Sequence, residues 1–503
     1  MFKLAKYLKP FIGMLIIAVV LLFIQAMADL SLPDYMSYIV NKGIQQGGIE
    51  NAVPEAIRKS KMDKLNLFIS ENNKEQIINN YILIDKSSKY YREYVKKYPV
   101  LEKEPIYVLK DINEAEIEKL NSIMGKAFLT VSGIEKIKVN TDLFALSAEQ
   151  RAKISEQIEK KLEALGDSMI IQGATSVIKA EYKALGMDTN KIQSRYIIFS
   201  GIKMLVLSLL AALCIVIVGL LASRIATGVA RNLRKDIFTK VESFSNAEFD
   251  KFSTASLITR TTNDVTQIQM LIVLAIRMLI YAPIMGIGGV LKALNKSNSM
   301  SWIIALAVIV LLSLIGSIFA LALPKFKTVQ KLVDRLNLVT RENLSGMMVI
   351  RAFNTQKFEE DRFDRANRDL TYTNLFVNRV MVVLFPAMML IMNGVTLLIV
   401  WVGAHQIANS GMQVGDMMAF MQYAIQIISA FLMMSFMFIM IPRASVSAQR
   451  IAEVLDIKPS IVDTKNPKHL GKKVKGVVEF KNVYFRYPGA QEDVLKNISF
   501  KAF

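Results

Sequence analysis

Cysteine, histidine and tryptophan are nearly absent from this 503-residue chain, with one, two and two copies. A lone thiol cannot form a disulfide within the chain. With only His405 and His469 beside it, a Cys/His metal cluster or a Cys–His catalytic pair is excluded. Cys214 sits in an apolar run, where a thiol packs as a small hydrophobe. Also missing is any G-x-x-x-x-G-K-[ST] phosphate-binding loop. The net charge of +19 comes without a basic face interleaved with aromatics, so nucleic acid is not an expected partner.

What is present is apolar: 52% of residues are hydrophobic against 21% charged. The apolar residues fall into six runs long enough to span a bilayer, near 11–40, 194–224, 268–292, 301–323, 378–404 and 413–441. The basic start and the Ala26-Met27-Ala28 site resemble a signal peptide. The apolar character continues past that site, so a long first helix kinked near Pro33 is the better reading. "MFKLAKYLK" is amphipathic and basic enough to lie on a membrane surface, although the positive-inside rule also accounts for its lysines.

Loop charge orients the spans. Residues 224–270 carry seven Lys/Arg and 325–376 carry ten, whereas 292–300 carry two and 405–412 none. Both termini and both long basic loops are therefore expected in the cytoplasm of a multi-pass protein of the cell membrane. The nearly neutral insert 45–193 is then outside. Its segments "DINEAEIEKLNSIMGKAF" and "SAEQRAKISEQIEKKLEAL" suggest helices capped by Asp111 and Ser147, and "PIYVLK" suggests a strand. The long basic loops show apolar residues at three- and four-residue spacing, as helical arms would, with Pro324 the one breaker at a join.

These residues resemble the membrane half of an ATP-binding-cassette exporter, over about 1–44 and 190–503. "FDKFSTASLITRTTNDVTQIQ" (249–269) resembles the first intracellular loop of that family. "RENLSGMMVIRAFNTQKFEEDRFDRAN" (341–367) resembles the second, and "SAQRIAEVLD" the join to the nucleotide-binding domain. The resemblance implies a mainly α fold: a six-helix polytopic membrane domain (1–455), an extracytoplasmic α-rich insert (45–193), a linker (456–475) and the β start of a nucleotide-binding domain (476–503). It also implies short coupling helices at the loop tips, around Ala247, Glu248, Phe249 and Asp250, and around Ala352, Phe353, Asn354, Thr355 and Gln356. Phe353 is the expected anchor, against an intra-loop contact as the plain alternative.

"VEFKNVYFRYPG" resembles the family's first strand and aromatic loop, with Tyr487 where an aromatic ring stacks on adenine. On local sequence alone, packing on its own sheet is the plainer reading of Tyr487. ATP and Mg²⁺ are implied as cofactors of a whole protein that is an ABC-type ATPase. This chain, lacking the phosphate-binding, signature and magnesium-binding motifs, resembles a truncated half-transporter and is not expected to hydrolyse ATP. The family further implies a dimer with a second half-transporter, and the long outside insert favours an unlike partner.

Within the spans, Gln422 and Gln426 share a helical face and must avoid lipid; Arg277 and Asn393 carry the same constraint. With Met421, in a methionine-rich last span, they are candidates for a transport cavity; ordinary packing is the plainer reading of the methionines. Asp29 and Asp34 are both open as partners for Arg277. The expected function is export of small amphipathic molecules across a lipid bilayer. Lipid or peptide cargo is the alternative within the family, and a non-catalytic membrane scaffold or sensor is the alternative outside it.

Overall fold

A computed structural model describes residues 2–137, 158, 167–249, 251–462, 466, 476–487 and 490–503. The expected helix over 147–165 and its Ser147 cap lie outside the described residues, apart from Ile158, which is helical. After a 3-10 stretch (Phe2–Phe11), the chain runs through α1 (Ile12–Tyr38), which ends in a wide π turn, Ile39–Gln45. The insert follows as β1 (Ala56–Arg58), α2 (Lys59–Asn66), α3 (Glu71–Asn79), β2 (Tyr81–Ile84), α4 (Tyr91–Lys97), β3 (Ile106–Leu109), α5 (Glu114–Ile137) and α6 (Asp167–Ala184). Then come α7 (Thr189–Glu242), α8 (Asn246–Phe249), α9 (Thr254–Thr259), α10 (Val265–Lys296), α11 (Ser301–Ser345), α12 (Met347–Ala352), α13 (Gln356–Ala408) and α14 (Val414–Asp456). A hairpin of β4 (Val478–Phe485) and β5 (Leu495–Ala502) ends the chain.

Among the described residues, six helical segments are long and apolar enough to cross a membrane, and the chain is a multi-pass membrane protein. Helix α7 has 54 residues, or roughly 80 Å at the α-helical rise, against a hydrocarbon core of about 30 Å. The arms inferred from the basic loops are therefore unbroken extensions of the spans. Helix α11 runs through Pro324 without a break. Its partner α13 packs along it, and Arg335–Asp369 (3.2 Å) and Arg362–Glu342 (2.6 Å) join the two arms. Along α7, Ile198, Phe199, Ile202, Leu205 and Leu209 are exposed, as a lipid-facing helix requires.

Contacts divide the chain into two compact units. One comprises Met1–Leu21, Val216–Ile280 and Phe436–Phe503; the other comprises Leu22–Ile215 and Tyr281–Ser435. In the first, Tyr7 is buried and donates to Asp236 (2.6 Å), and Phe11 lies against Gly228, where a Cβ would collide with its ring. In the second, Leu30, Met285, Ile304, Leu311, Ile399 and Phe420 belong to a membrane core. Met417, Met421, Met433 and Met434 pack against that core, which is the plainer reading of the methionine-rich span.

Pro33 does not break α1. Lacking an N–H, it frees the carbonyl four residues back. That carbonyl, of Asp29, accepts instead from Gln426 Nε2 (3.1 Å), while Tyr423 donates to the next carbonyl, of Leu30 (3.3 Å).

The insert has its own core of Ile57, Met62, Leu65, Tyr98, Ile106 and Phe128. It is helical, as expected, but its strand at 106–109 is the centre of a three-stranded antiparallel sheet, in the order β1-β3-β2. The cap of α5 is Asn113, whose Oδ1 accepts from the Glu116 amide (2.9 Å), and not Asp111. Asp111 lies two positions too early to reach the third amide of the helix.

Candidate functional site

The loop between the second and third spans turns through α8, and residues Ser245 to Glu248 cap it. Ser245 precedes the helix and Glu248 is its third residue, the capping-box spacing. Glu248 accepts from the Ser245 amide (2.8 Å) and hydroxyl (2.6 Å), and from the Ser460 amide (3.2 Å) of the segment after α14. The Ser245 hydroxyl and amide, with the Ser460 bonds, hold the Glu248 carboxyl down at about 2. Ala247 is half-buried and Phe249 exposed, with Phe249 edge-on to Phe244 (5.9 Å between ring centres). Asp250 lies outside the described residues.

The same loop is tied to the end of α14. Arg260 donates to Glu453 (3.0 Å) and to the Arg450 carbonyl, with its guanidinium over the Phe252 ring. Ser447 donates to the buried Asp264 (2.8 Å), which also sits 3.6 Å from Arg450. Sequence reasoning missed all of these. Only the Ser245–Glu248 pair carried a local signal; the hydrogen bonds from this loop to α14 join residues 183 to 193 positions apart.

Because Glu248 titrates lower folded than unfolded, its contribution to stability is fully present above about pH 4.5 and is lost as pH falls toward its folded value. Thermal melts of the wild type and Glu248→Gln between about pH 6 and pH 3 check this. The wild type's advantage is expected to shrink on acidification; a constant difference would exclude an ionised Glu248.

The second long loop turns at α12. The short helix lies a turn earlier than the segment expected from resemblance, which began at Ala352. Asn354 stops it in the left-handed conformation (φ 54). The Thr355 amide returns to the Ile350 carbonyl (3.0 Å) and the Asn354 amide to Arg351 (3.3 Å), a Schellman ending. Gln356 already begins α13. The tip is apolar and bare: Met348 is 83% exposed and Phe353 76%, so Phe353 makes no sheltering contact within its loop.

Tyr487 follows β4. The residue is 59% exposed, and its ring lies nearly perpendicular to that of Phe485, with 4.9 Å between ring centres. Arg486 pairs with Asp493 (2.8 Å) across the turn, while Pro488 and Gly489 lie outside the described residues.

Within the spans, Gln426 bonds the Asp29 carbonyl and Met421 is half-buried against the membrane core, whereas Gln422 and Asn393 are exposed on the single chain. Arg277 is exposed and has no ion pair among the described residues. The two carboxylates considered for it are engaged elsewhere: Asp29 accepts from Tyr281 (2.6 Å), and Asp34 from Lys292 (2.8 Å). Lysine ends at the insert-proximal limit of a span reach a carboxylate there, a pairing that the positions of the runs did not indicate.

Residues 168–431 match the family model described as the ABC transporter transmembrane region. An uncharacterized ABC transporter ATP-binding protein of Mycobacterium tuberculosis is 36% identical over 60% of this chain and 52% of its own length. The ABC transporter ATP-binding protein YfiB of Bacillus subtilis is 33% identical over 56% of this chain and 48% of its own. An ATP-dependent lipid A-core flippase of Aromatoleum aromaticum is 26% identical over 55% and 45%. The chain thus spans about half the length of the curated relatives it matches.

Proposed function

We propose, from the premise that this chain belongs to the ABC transporter transmembrane-region family, that it is the membrane half of an ATP-driven exporter of small amphipathic molecules. It works with a second, unlike half-transporter, with its termini and long arms in the cytoplasm and residues 45–193 outside. The observation that carries this reading is the continuity of the long helices. Helices α7, α11, α13 and α14 pass from apolar span to polar arm without a break, and the α11–α13 pair ends in a bare apolar tip. A rod of that kind transmits displacement from a docked domain to the membrane. Polar side chains exposed within apolar spans, at Gln422, Asn393 and Arg277, suit a wet cavity or a partner's helices better than lipid.

ATP supplies the drive in this reading. Tyr487 fits the adenine: an open ring beside a turn can stack on the base without reading its edge. Among the described residues there is no cluster of His, Cys, Asp or Glu that would hold a metal ion. In this reading phosphate and Mg²⁺ are held by the nucleotide-binding domain of the whole protein. A lipid cargo is the second reading, favoured by the name of the flippase relative. Uptake of an amphipathic dye by inside-out vesicles carrying the full-length protein and its partner, with and without Mg-ATP, tests the proposal.

A further inference from the structure

A cavity of about 590 Å³ lies between the insert and the start of α7, inside one of the two compact units. Its size is that of small-ligand sites. Much of its wall is apolar: Val53, Leu109 and Ile117 of the insert, Met187 after α6, and Ile192 and Phe199 of α7. Leu109, Ile117, Met187 and Ile192 are only partly buried against the insert's core, so they keep apolar surface for the cavity. Phe199 is 59% exposed and belongs to the lipid-facing row of α7, with Ile198, Ile202 and Leu205. The groove is therefore continuous with a surface that meets acyl chains.

Charge supplies a second observation. The ionised side chains of the lining are Glu50, Glu55, Lys97 and Arg195. Glu55 is ion-paired with Lys97, and Glu50 lies 3.9 Å from Lys42. Arg195 is exposed and has no hydrogen bond or ion pair among the described residues. It is the uncompensated charge of the lining. Two turns further along α7, Lys203 also has no ion pair among the described residues. Its Nζ lies 4.6 Å from the centre of the Phe199 ring, on the side toward Arg195. Arg195, Phe199 and Lys203 follow at four-residue spacing and share a stripe of the helix. Two cations thus bracket an aromatic ring where the apolar span begins, beside an apolar groove.

We propose that this groove holds one acyl chain of an anionic phospholipid from the adjoining leaflet, with the lipid's phosphate between Arg195 and Lys203. A free phosphate would use the cations and leave the apolar wall unfilled. A phosphatidylcholine would bring a quaternary ammonium that the two cations repel. Bound there, the lipid ties the insert to α7. The lipid is a fixed ligand in this proposal, which depends neither on nucleotide nor on the identity of the cargo.

The test is photolabelling of the full-length protein with its partner half, in nucleotide-free lipid nanodiscs. The probe is phosphatidylglycerol with a diazirine at the end of one acyl chain, and labelled peptides are located by mass spectrometry. Label is expected in the insert, on peptides holding Leu109, Ile117 or Met187, although the insert has no span of its own among the described residues. The same probe with a phosphatidylcholine head is expected to label those peptides about tenfold less. Arg195→Gln is expected to bring phosphatidylglycerol down to that level, and it retains the fold because Arg195 makes no bond to the described chain. Met187→Trp fills the groove and is expected to remove the insert's label while peptides holding Ile198 and Ile202 stay labelled. Label confined to the spans would overturn the proposal, as would equal labelling of the insert by the two heads. Loss of the label in excess inorganic phosphate would assign the cations to a free anion and overturn it. Label that appears only without the partner half would mean that the partner covers the groove, and would overturn it as well.

Discussion

Phe353→Ala is expected to lower nucleotide-driven transport by roughly thirtyfold while leaving protein yield and melting temperature unchanged. The magnitude follows from the loss of an aromatic anchor, about 2 kcal/mol when the ring is fully covered by a partner. The unchanged stability follows from the structure. At 76% exposure the ring packs on little of its own chain, and the Schellman ending at Asn354 and Thr355 holds the turn with backbone bonds. Tyr372→Ala is the control, since that ring is 69% exposed on the arm of α13 but away from the tip. Equal losses in the two variants would mean that aromatic area on the arms, and not docking at the tip, sets the rate. A melting temperature lowered in Phe353→Ala would point to a contact inside the loop.

The second large effect lies in the insert. Glu181 is buried and accepts from the Arg58 amide (3.0 Å), Nε (2.9 Å) and the terminal guanidinium nitrogen (2.8 Å). Those bonds fasten β1 to α6. Arg58→Met leaves a buried carboxylate with only the amide and is expected to cost about 3 kcal/mol. Arg58→Met with Glu181→Met removes both charges and is expected to recover most of that loss. Urea unfolding followed by limited proteolysis within 45–193 of the full-length protein measures both. A single variant no less stable than the wild type would show that the pair contributes only as a surface bridge does.

Much of this fold was legible from apolar run length. Six stretches near 20 residues or more, with seven and ten basic residues in the long loops between them, lead directly to spans and arms. Two local signals went unread. Asn354 after "MMVIRA" is a helix stop that fixes the second tip, and Ser245 with Glu248 is a capping pair that fixes the first. What sequence could not supply is anything that depends on distant partners. Gln426 is required only to avoid lipid; that its partner is the carbonyl released by Pro33 depends on how α1 and α14 cross. The strands 56–58 and 81–84 are too short for an alternating pattern to stand out, and their sheet exists because Ile106–Leu109 lies between them. The Arg260, Asp264, Ser447 and Glu453 cluster has no motif at all, because a salt bridge across 190 positions leaves no periodic trace.

The most direct test of the central reading is transport itself. Inside-out vesicles carrying the full-length protein and its partner half are expected to accumulate an amphipathic dye only with Mg-ATP, and to lose that uptake in Phe353→Ala. Uptake of the same size without nucleotide, or no uptake beside intact nucleotide hydrolysis by the assembled pair, would contradict an ATP-driven exporter of such molecules.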